Sequence, residues 1–591
     1  MCRVAGVINK LDAISSTEGM VKEMCQLLKH GGPDDEGIYT NAANNFVLGH
    51  RRLSLIDLSP KGHQPMSYAD NRYYISYNGE LYNYLELKEE LKKAGYCFHS
   101  GSDTEVMLAA FAAWGTRAFI RFNGMFAFAL WDNNTNDLYL VRDSIGMKPI
   151  YYAHTAEGFA FASEINAFKA IPYLREKNNQ SQVYLMAYGH LPEPITTLKE
   201  VKPLEKGTWL KYHVPSSVIT EINVFKQFSY LEKIDNREEA IHLIKESLQA
   251  SVQRHLLSDA PIGVFLSGGI DSSIITLLAN KMRADLQTVS IFLKDNGYSE
   301  KKYQDILQQN SSFTQHQHLL TETDFHNHLP EIMNAMDLPS CDGINTWFIS
   351  KYAKENGLKA VLSGVGSDEL YGGYPSFDRI QTTLLLQQLP NKVLKVGVHG
   401  TSKKLRRMAY LSIDGPIGKY LFLRGQFVPL EIAKYLDANE AEVWRILSEE
   451  PQLKNIDHLT PGNQASWLET NLYMQNQLLR DADVMSMAHG VEIRLPFLDV
   501  PFVDLSLRID STVKYSGSRG KQLLIDAFKD ILPEQIWNRP KMGFAFPFKE
   551  WLGDDRYVKS RNGKYMGEYI SKMRSGNMHW SQFFTLLLIE K

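Results

Sequence analysis

Two short stretches of this 591-residue chain carry residue types at a spacing suited to chemistry. The first is Val264-Phe265-Leu266-Ser267-Gly268-Gly269-Ile270-Asp271-Ser272-Ser273, where an apolar run stops at Ser-Gly-Gly and resumes as Ile274-Ile275-Thr276-Leu277-Leu278-Ala279. Two glycines let the backbone turn with positive φ and let a ligand come close. Small hydroxyls add donors, and the helix that follows offers unpaired N–H groups at the positive end of its dipole. Such a loop suits an anion, most simply phosphate. No Gly-Lys-Ser/Thr follows, so this is not a Walker A loop. Asp271 is placed to help hold the Mg²⁺ that accompanies a triphosphate. The second is Cys2. Once Met1 is removed, its thiolate is a strong nucleophile and its own α-amine, with a reference pKa of about 7.7–8.0, can act as the base.

Further candidates follow Cys2 in order. Arg52, in the basic centre of Val47-Leu48-Gly49-His50-Arg51-Arg52-Leu53-Ser54-Leu55-Ile56, can pair bidentately with an α-carboxylate. Asn78-Gly79-Glu80 has the form of a strand end and turn, and the Asn78 amide with the Gly79 N–H can form an oxyanion hole. Taken alone, Asn-Gly is a hairpin signal. Asp103 precedes an apolar helix and can either bind a substrate ammonium or cap that helix. Ser363-Gly364-Val365-Gly366-Ser367-Asp368-Glu369 follows a short apolar run, and Asp368 and Glu369 are candidate Mg²⁺ ligands.

These residues need particular elements to hold them. Strand-like runs dominate the first 213 residues and predict a layered sheet structure. The polar stretch around Ser216 to Arg237 reads as a linker. Helical spacing begins at Glu238, and strands then alternate with helices. That alternation predicts a parallel doubly wound sheet, with ligands at the carboxyl ends of its strands. Residues to about Ile536 then read as helices.

Hydrophobic residues make up 44% and charged residues 22%, enough for large cores in a soluble protein. A net charge of −3 gives no basic field for nucleic acid or a membrane surface. The four cysteines form no CxxC pair, which argues against a zinc site or disulfide scaffold and fits a reducing compartment. No run resembles a signal peptide or a membrane span, so the expected location is cytoplasmic.

Cys2, Arg52-Leu53-Ser54, Asn78-Gly79-Glu80, Gly101-Ser102-Asp103, Gly124-Met125-Phe126-Ala127-Phe128 and Arg142-Asp143 occur in the order of a class II glutamine amidotransferase domain. Followed by Ser267-Gly268-Gly269-Ile270-Asp271-Ser272-Ser273, a loop of the type found in enzymes that cut ATP between its α and β phosphates, the whole resembles the glutamine-hydrolysing asparagine synthetase family. The resemblance implies an α+β N-terminal-nucleophile domain over 2–213. It implies an α/β ATP-pyrophosphatase domain with a helical C-terminal part over 236–591. It further implies that Cys2 hydrolyses glutamine, with Asn78 and Gly79 stabilising the oxyanion. Arg52, Asp103, Glu80 and the backbone of Leu53, Ser54, Leu55 and Ile56 would bind the substrate. ATP would contact Leu266, Ser267, Gly268, Gly269, Asp271, Ser272, Ser273, Ile291, Phe292, Ser363, Gly364 and Lys541, with Mg²⁺ at Asp271, Asp368 and Glu369. Arg539 is a weaker candidate beside Lys541. Family members are often homodimers.

The sequence departs from the family over Asp337 to Thr346, which differs from the usual aspartate-binding segment, and at three single positions. Arg3 stands where Gly or Ser is frequent, and Gly31 stands where Arg precedes the Gly-Pro-Asp. Val365 replaces a glutamate between two glycines that is thought to assist ammonia attack. The expected acceptor is aspartate. The alternative is a sugar uronic acid amidated for a surface polysaccharide, and a reading of another class is a non-catalytic nucleotide-binding scaffold.

Overall fold

The computed structural model describes residues 2–294, 299–309, 312–397, 400, 402–517, 519–540, 546–559 and 565–590. Short strand runs in the N-terminal part, buried along their whole length in Arg3–Asn9, Phe46–Arg52 and Gly124–Asp132, build two six-stranded antiparallel sheets. The first runs Lys202–Pro203, Tyr151–His154, Gly158–Ala162, Arg3–Asn9, Phe46–Arg52, Asp35–Asn41 in spatial order. The second runs Val218–Val224, Thr208–His213, Asp137–Arg142, Gly124–Asp132, Tyr73–Leu81, Met66–Tyr68.

Alternate residues of each strand go to opposite faces. Val4, Ile8, Phe46 and Leu48 of the first sheet meet Ala127, Ala129, Trp131 and Leu140 of the second in one core. On the outer faces, Ala5 and Val7 pack with Val21 and Met24 of helix Ile14–Leu27. Phe126, Phe128 and Leu130 pack with Val106, Met107 and Ala110 of helix Asp103–Trp114. The result is the α-β-β-α layering of an N-terminal-nucleophile domain.

Two local expectations are corrected. The stretch read as linker contributes the edge strand Val218–Val224, paired with Thr208–His213. Its residues are almost all exposed, so the apolar alternation that reveals a buried strand is missing. Asn78-Gly79 is not a turn but lies within strand Tyr73–Leu81, opposite Ala127 and Phe126. Gly79 has φ +153°, and a Cβ there would lie 2.0 Å from the Met125 carbonyl oxygen. Close backbone approach, not a hairpin, explains that glycine.

The C-terminal part is built on a five-stranded parallel sheet ordered Thr314–Leu319, Gln287–Phe292, Ile262–Phe265, Ala360–Leu362, Glu492–Arg494. Helices surround it and form most of the remaining sequence. Ile262–Phe265 and Ala360–Leu362 are direct neighbours, so the loops after them emerge side by side. Among the described residues, no helix is long and apolar enough to cross a membrane.

Arg494 joins the two parts. Its carbonyl accepts the Ser363 N–H at 2.9 Å. Its guanidinium lies 2.6 Å from Glu492 and 3.2 Å from Glu80, and donates to the His255 carbonyl at 3.0 Å and to that of Leu257. All three charged side chains are buried, and removing one partner leaves buried charge unmatched. Arg494→Met is therefore expected to cost about 3–5 kcal/mol, read as a lowered urea midpoint, with part of the loss recovered when Glu492→Gln is added. An unchanged midpoint would show that the network contributes nothing to stability.

Candidate active sites

The first site forms where the edge of one antiparallel sheet meets the facing strand of the other. Arg3 pairs with Arg51, so Cys2 lies just beyond the strand end, beside Arg52 and Leu53. Its sulfur is 3.8 Å from the Leu53 carbonyl oxygen. Burial pushes the Cys2 thiol up to about 11, while the Arg52 charge works in the opposite direction. A thiol held this high needs a base close by before it can attack. On the facing strand Asn78 is fully buried, and both its amide nitrogen and its amide oxygen lack a hydrogen-bond partner. A buried amide left unsatisfied is costly and fits a donor kept for a ligand.

Arg52 donates to the carbonyls of Ile56, Asp57 and Ser59 at 3.3, 2.5 and 3.2 Å, so the 53–59 loop wraps its guanidinium. The Ser54 N–H is held by Asp34 at 2.8 Å, and Asp34 in turn pairs with Lys359 of the C-terminal part at 2.7 Å. Leu53, Ser54 and Leu55 are buried, and Ile56 is half-buried. Asp103 does not cap its helix, because Ser102 does. The Asp103 carboxylate accepts from the Tyr77 hydroxyl and the Leu81 N–H, each at 3.0 Å, which ties the helix start to the Asn78 strand. Glu80 lies 3.2 Å from Arg494, and its charge also acts on the Cys2 thiol, pushing it up.

The second site is made by the two side-by-side loops of the parallel sheet. Gly268 has φ +84° and lets the chain turn from Leu266 into helix Ile270–Met282. Within the turn the Ser267 and Ser272 hydroxyls lie 3.0 Å apart, and Ser273 donates to the Gly269 carbonyl at 2.6 Å. A Cβ on Gly364 would sit 2.8 Å from that of Asp271, so the loops touch and Ser363 and Gly364 lie against the turn. Ile291 is buried and Phe292 half-buried at the end of the neighbouring strand. Lys541 lies outside the described residues, whereas Arg539 donates to the Gly268 carbonyl at 3.0 Å and pairs with Glu300 at 2.7 Å.

The three candidate metal ligands do not behave alike. Asp271 and Asp368 each lie 2.5 Å from the Nζ of Lys521, which also donates to the Ser367 hydroxyl at 3.0 Å. The other Asp271 carboxylate oxygen is buried without a partner, which fits a place for a hard cation beside Asp368. Glu369 is turned away: one oxygen accepts the Gly366 N–H at 3.1 Å and the other the Tyr374 hydroxyl at 2.8 Å. Burial, then the Asp368 charge, raises Glu369 to about 7. Lys521 was missed by sequence reasoning. The available signal is a Gly520-Lys521 pair directly before helix Gln522–Phe528, with Lys521 itself at φ +62°.

Comparison with known proteins agrees with this two-part arrangement. The family model described as Asparagine synthase matches residues 243–571, and that described as Glutamine amidotransferase domain matches residues 1–221. The glutamine-hydrolyzing asparagine synthetase 1 of Bacillus subtilis (strain 168) is 32% identical over 589 residues, 95% of this chain and 89% of that protein. A putative glutamine-hydrolyzing asparagine synthetase of Mycobacterium tuberculosis (strain ATCC 25618 / H37Rv) is 32% identical over 559 residues, 89% of this chain and 84% of that protein. Among solved structures, a glutamine phosphoribosylpyrophosphate amidotransferase from B. subtilis covers 54% of this chain and 81% of its own, at 15% identity and a TM-score of 0.30. That likeness carries no argument.

Lys521 yields a prediction. Lys521→Met leaves Asp271 and Asp368 facing each other without a fixed cation and removes a donor from the loop pair. ATP-dependent pyrophosphate release is expected to fall by about 10²-fold or more while glutamine hydrolysis persists. Equal loss of both activities would place Lys521 in a structural role.

Proposed function

The chain belongs to the glutamine-hydrolysing asparagine synthetase family, and on that premise we propose that two sites share one amide-forming reaction through internally transferred ammonia. In this reading residues 2–213 are the glutaminase domain and 236–591 the synthetase domain. Cys2 Sγ attacks the side-chain amide carbon of glutamine. Ammonia leaves with a proton supplied through the α-amine, a thioester remains, and water releases glutamate and the thiol. Asn78 and Gly79 hold the oxyanion of each tetrahedral intermediate. Arg52 and Asp103 receive the substrate's carboxylate and ammonium, with Glu80 and the backbone of Leu53 to Ile56 lining the pocket.

At the second site a carboxylate oxygen of the acceptor attacks the α-phosphorus of ATP and pyrophosphate leaves. Ammonia then attacks the acyl carbon, giving the amide and AMP. The Leu266–Ser273 turn, with Ser363 and Gly364, cradles the phosphates. Ile291 and Phe292 flank the adenine, and Lys541 meets the departing pyrophosphate. Mg²⁺ supplies charge neutralisation of the triphosphate, and Asp271 and Asp368 are the residues that fit it. Glu369 acts instead on the helix entrance and Tyr374. The observation that carries this reading is the buried, unpartnered Asn78 amide in a domain that also buries the Cys2 thiol, in a chain that also pairs two glycine loops at strand ends.

Aspartate is the proposed acceptor. Val365 favours a second reading, a sugar uronic acid. The side chain is half-buried against the core and can neither take a proton nor carry charge. Arg424, over the ring of Tyr374, also stacks on Tyr473 at 3.6 Å and is paired with Glu469 at 2.7 Å, so its charge is already matched by a carboxylate.

Two outcomes follow. Cys2→Ala abolishes amide formation from glutamine but spares formation from added ammonium, measured as amide product with each nitrogen source. Equal loss with both sources contradicts the division of labour. In a panel of aspartate and uronic-acid sugars with glutamine, ATP and Mg²⁺, pyrophosphate and AMP appear with aspartate. Release of ADP and phosphate contradicts the loop assignment, and a response to sugar acids alone makes the second reading the right one.

A further inference from the structure

Arg3 follows Cys2 directly and is fully buried. Its Nε is 2.6 Å from Glu164, and its Nη1 lies 3.4 Å from the carbonyl oxygen of Cys2. Its Nη2 makes an ion contact of 3.0 Å with Asp483, on helix Leu479–Met487 of the C-terminal part. Asp483 also receives Lys148 of the N-terminal part at 3.3 Å. The peptides after Glu164 are held across the same junction: Asp337 accepts the Ile165 and Asn166 N–H groups at 2.8 and 2.7 Å. His30 closes the cluster at 2.9 Å from Glu164. On the same helix Asp481 accepts from Ser340 at 2.7 Å.

Gly31 fits against this cluster. A Cβ built on it would lie 2.7 Å from Arg3 Cγ and 2.8 Å from Arg3 Nε. A side chain at position 31 and the Arg3 side chain cannot occupy that space together. The guanidinium reaches the junction from position 3, and the glycine at 31 makes room for it.

We infer that Arg3 is a positioning residue that fixes the nucleophile's strand to helix Leu479–Met487, so that ammonia freed at Cys2 is delivered to the activated carboxylate. It does so through where its guanidinium sits, not through the chain position that supplies it. This rests on the proposed two-site reaction. Glu164 and Asp483 come from opposite sides of the junction, and the Arg3 guanidinium reaches both, beside His30 on Glu164 and Lys148 on Asp483. Loss of the guanidinium removes the link between Glu164 and Asp483, leaves each with only its remaining partner, His30 or Lys148, and loosens the junction next to the nucleophile. Glutamine is then still hydrolysed, but its ammonia escapes.

The test is the ratio of glutamate formed to pyrophosphate released, with glutamine as the only nitrogen source. The wild type gives a ratio near one. Arg3→Gln raises it by about two- to thirtyfold while synthesis from added ammonium is retained, and hydrogen exchange of residues 479–487 accelerates. Arg3→Ser combined with Gly31→Arg returns both readouts toward the wild-type values, because the guanidinium is supplied from the other side. An Arg3→Gln protein with the wild-type ratio overturns the inference. So does a folded double variant that stays uncoupled, or one that fails to fold. Should Arg3→Gln alone fail to fold, a coupled double variant still supports it. Wild-type protein without glutamine-dependent pyrophosphate release instead overturns the underlying two-site reading, which separates the two failures.

Discussion

The arrangement of both sites depends on Arg494. One residue holds the second glycine loop by its backbone, through the Ser363 N–H, and reaches the Asn78-Gly79-Glu80 strand by its side chain, through Glu80. A guanidinium buried among two carboxylates and two carbonyls tolerates little displacement, because every lost contact exposes an unmatched charge in a medium of low polarity. Each side chain in strand Tyr73–Leu81 therefore has a fixed relation to the parallel sheet. Further ties act the same way: Asp34 with Lys359, Asn123 with Asp499 at 3.0 Å, and the Tyr82 ring at 4.0 Å from that of His255.

Such a joint serves the proposed chemistry. Ammonia is small and readily lost as ammonium, and an acyl-adenylate hydrolyses where water reaches it. A rigid, closely packed junction excludes water and fixes the distance between the two reacting centres. A cleft of about 1320 Å³ opens between the two parts and is lined by residues that include His30, Glu164, Asp337 and Trp347, not by Cys2 or Asp271. The junction is thus charged and packed at the sites and open beside them, with the Arg3 cluster at the boundary.

Much of this was legible in the sequence where the signal is local. The Ser267–Ser273 turn announces itself by an apolar run, two glycines and a helix start, and the layered sheets by successive strand-like runs, among them the continuous apolar segment Gly124–Asp132. What failed was non-local. Lys521 is 250 residues from Asp271 and gains its place only through folding. Asn78-Gly79 carries a turn signature, yet the glycine answers to the Met125 carbonyl of a neighbouring strand. Val218–Val224 is an exposed edge strand and has no buried face to imprint a pattern. Glu369 looks like a ligand beside Asp368, but helix geometry sends adjacent residues in different directions and spends its carboxylate on Gly366 and Tyr374.

The central claim is that ammonia passes between two joined sites without entering solvent. It is tested most directly by supplying amide-¹⁵N-labelled glutamine in the presence of a large excess of unlabelled ammonium, with ATP, Mg²⁺ and the acceptor, and reading the isotope in the amide product by mass spectrometry. The account predicts product that retains the ¹⁵N of glutamine well above the isotope ratio of the bulk ammonium. Product labelled at the bulk ratio would contradict it, because nitrogen released at Cys2 would then have mixed with solvent before reaching the second site.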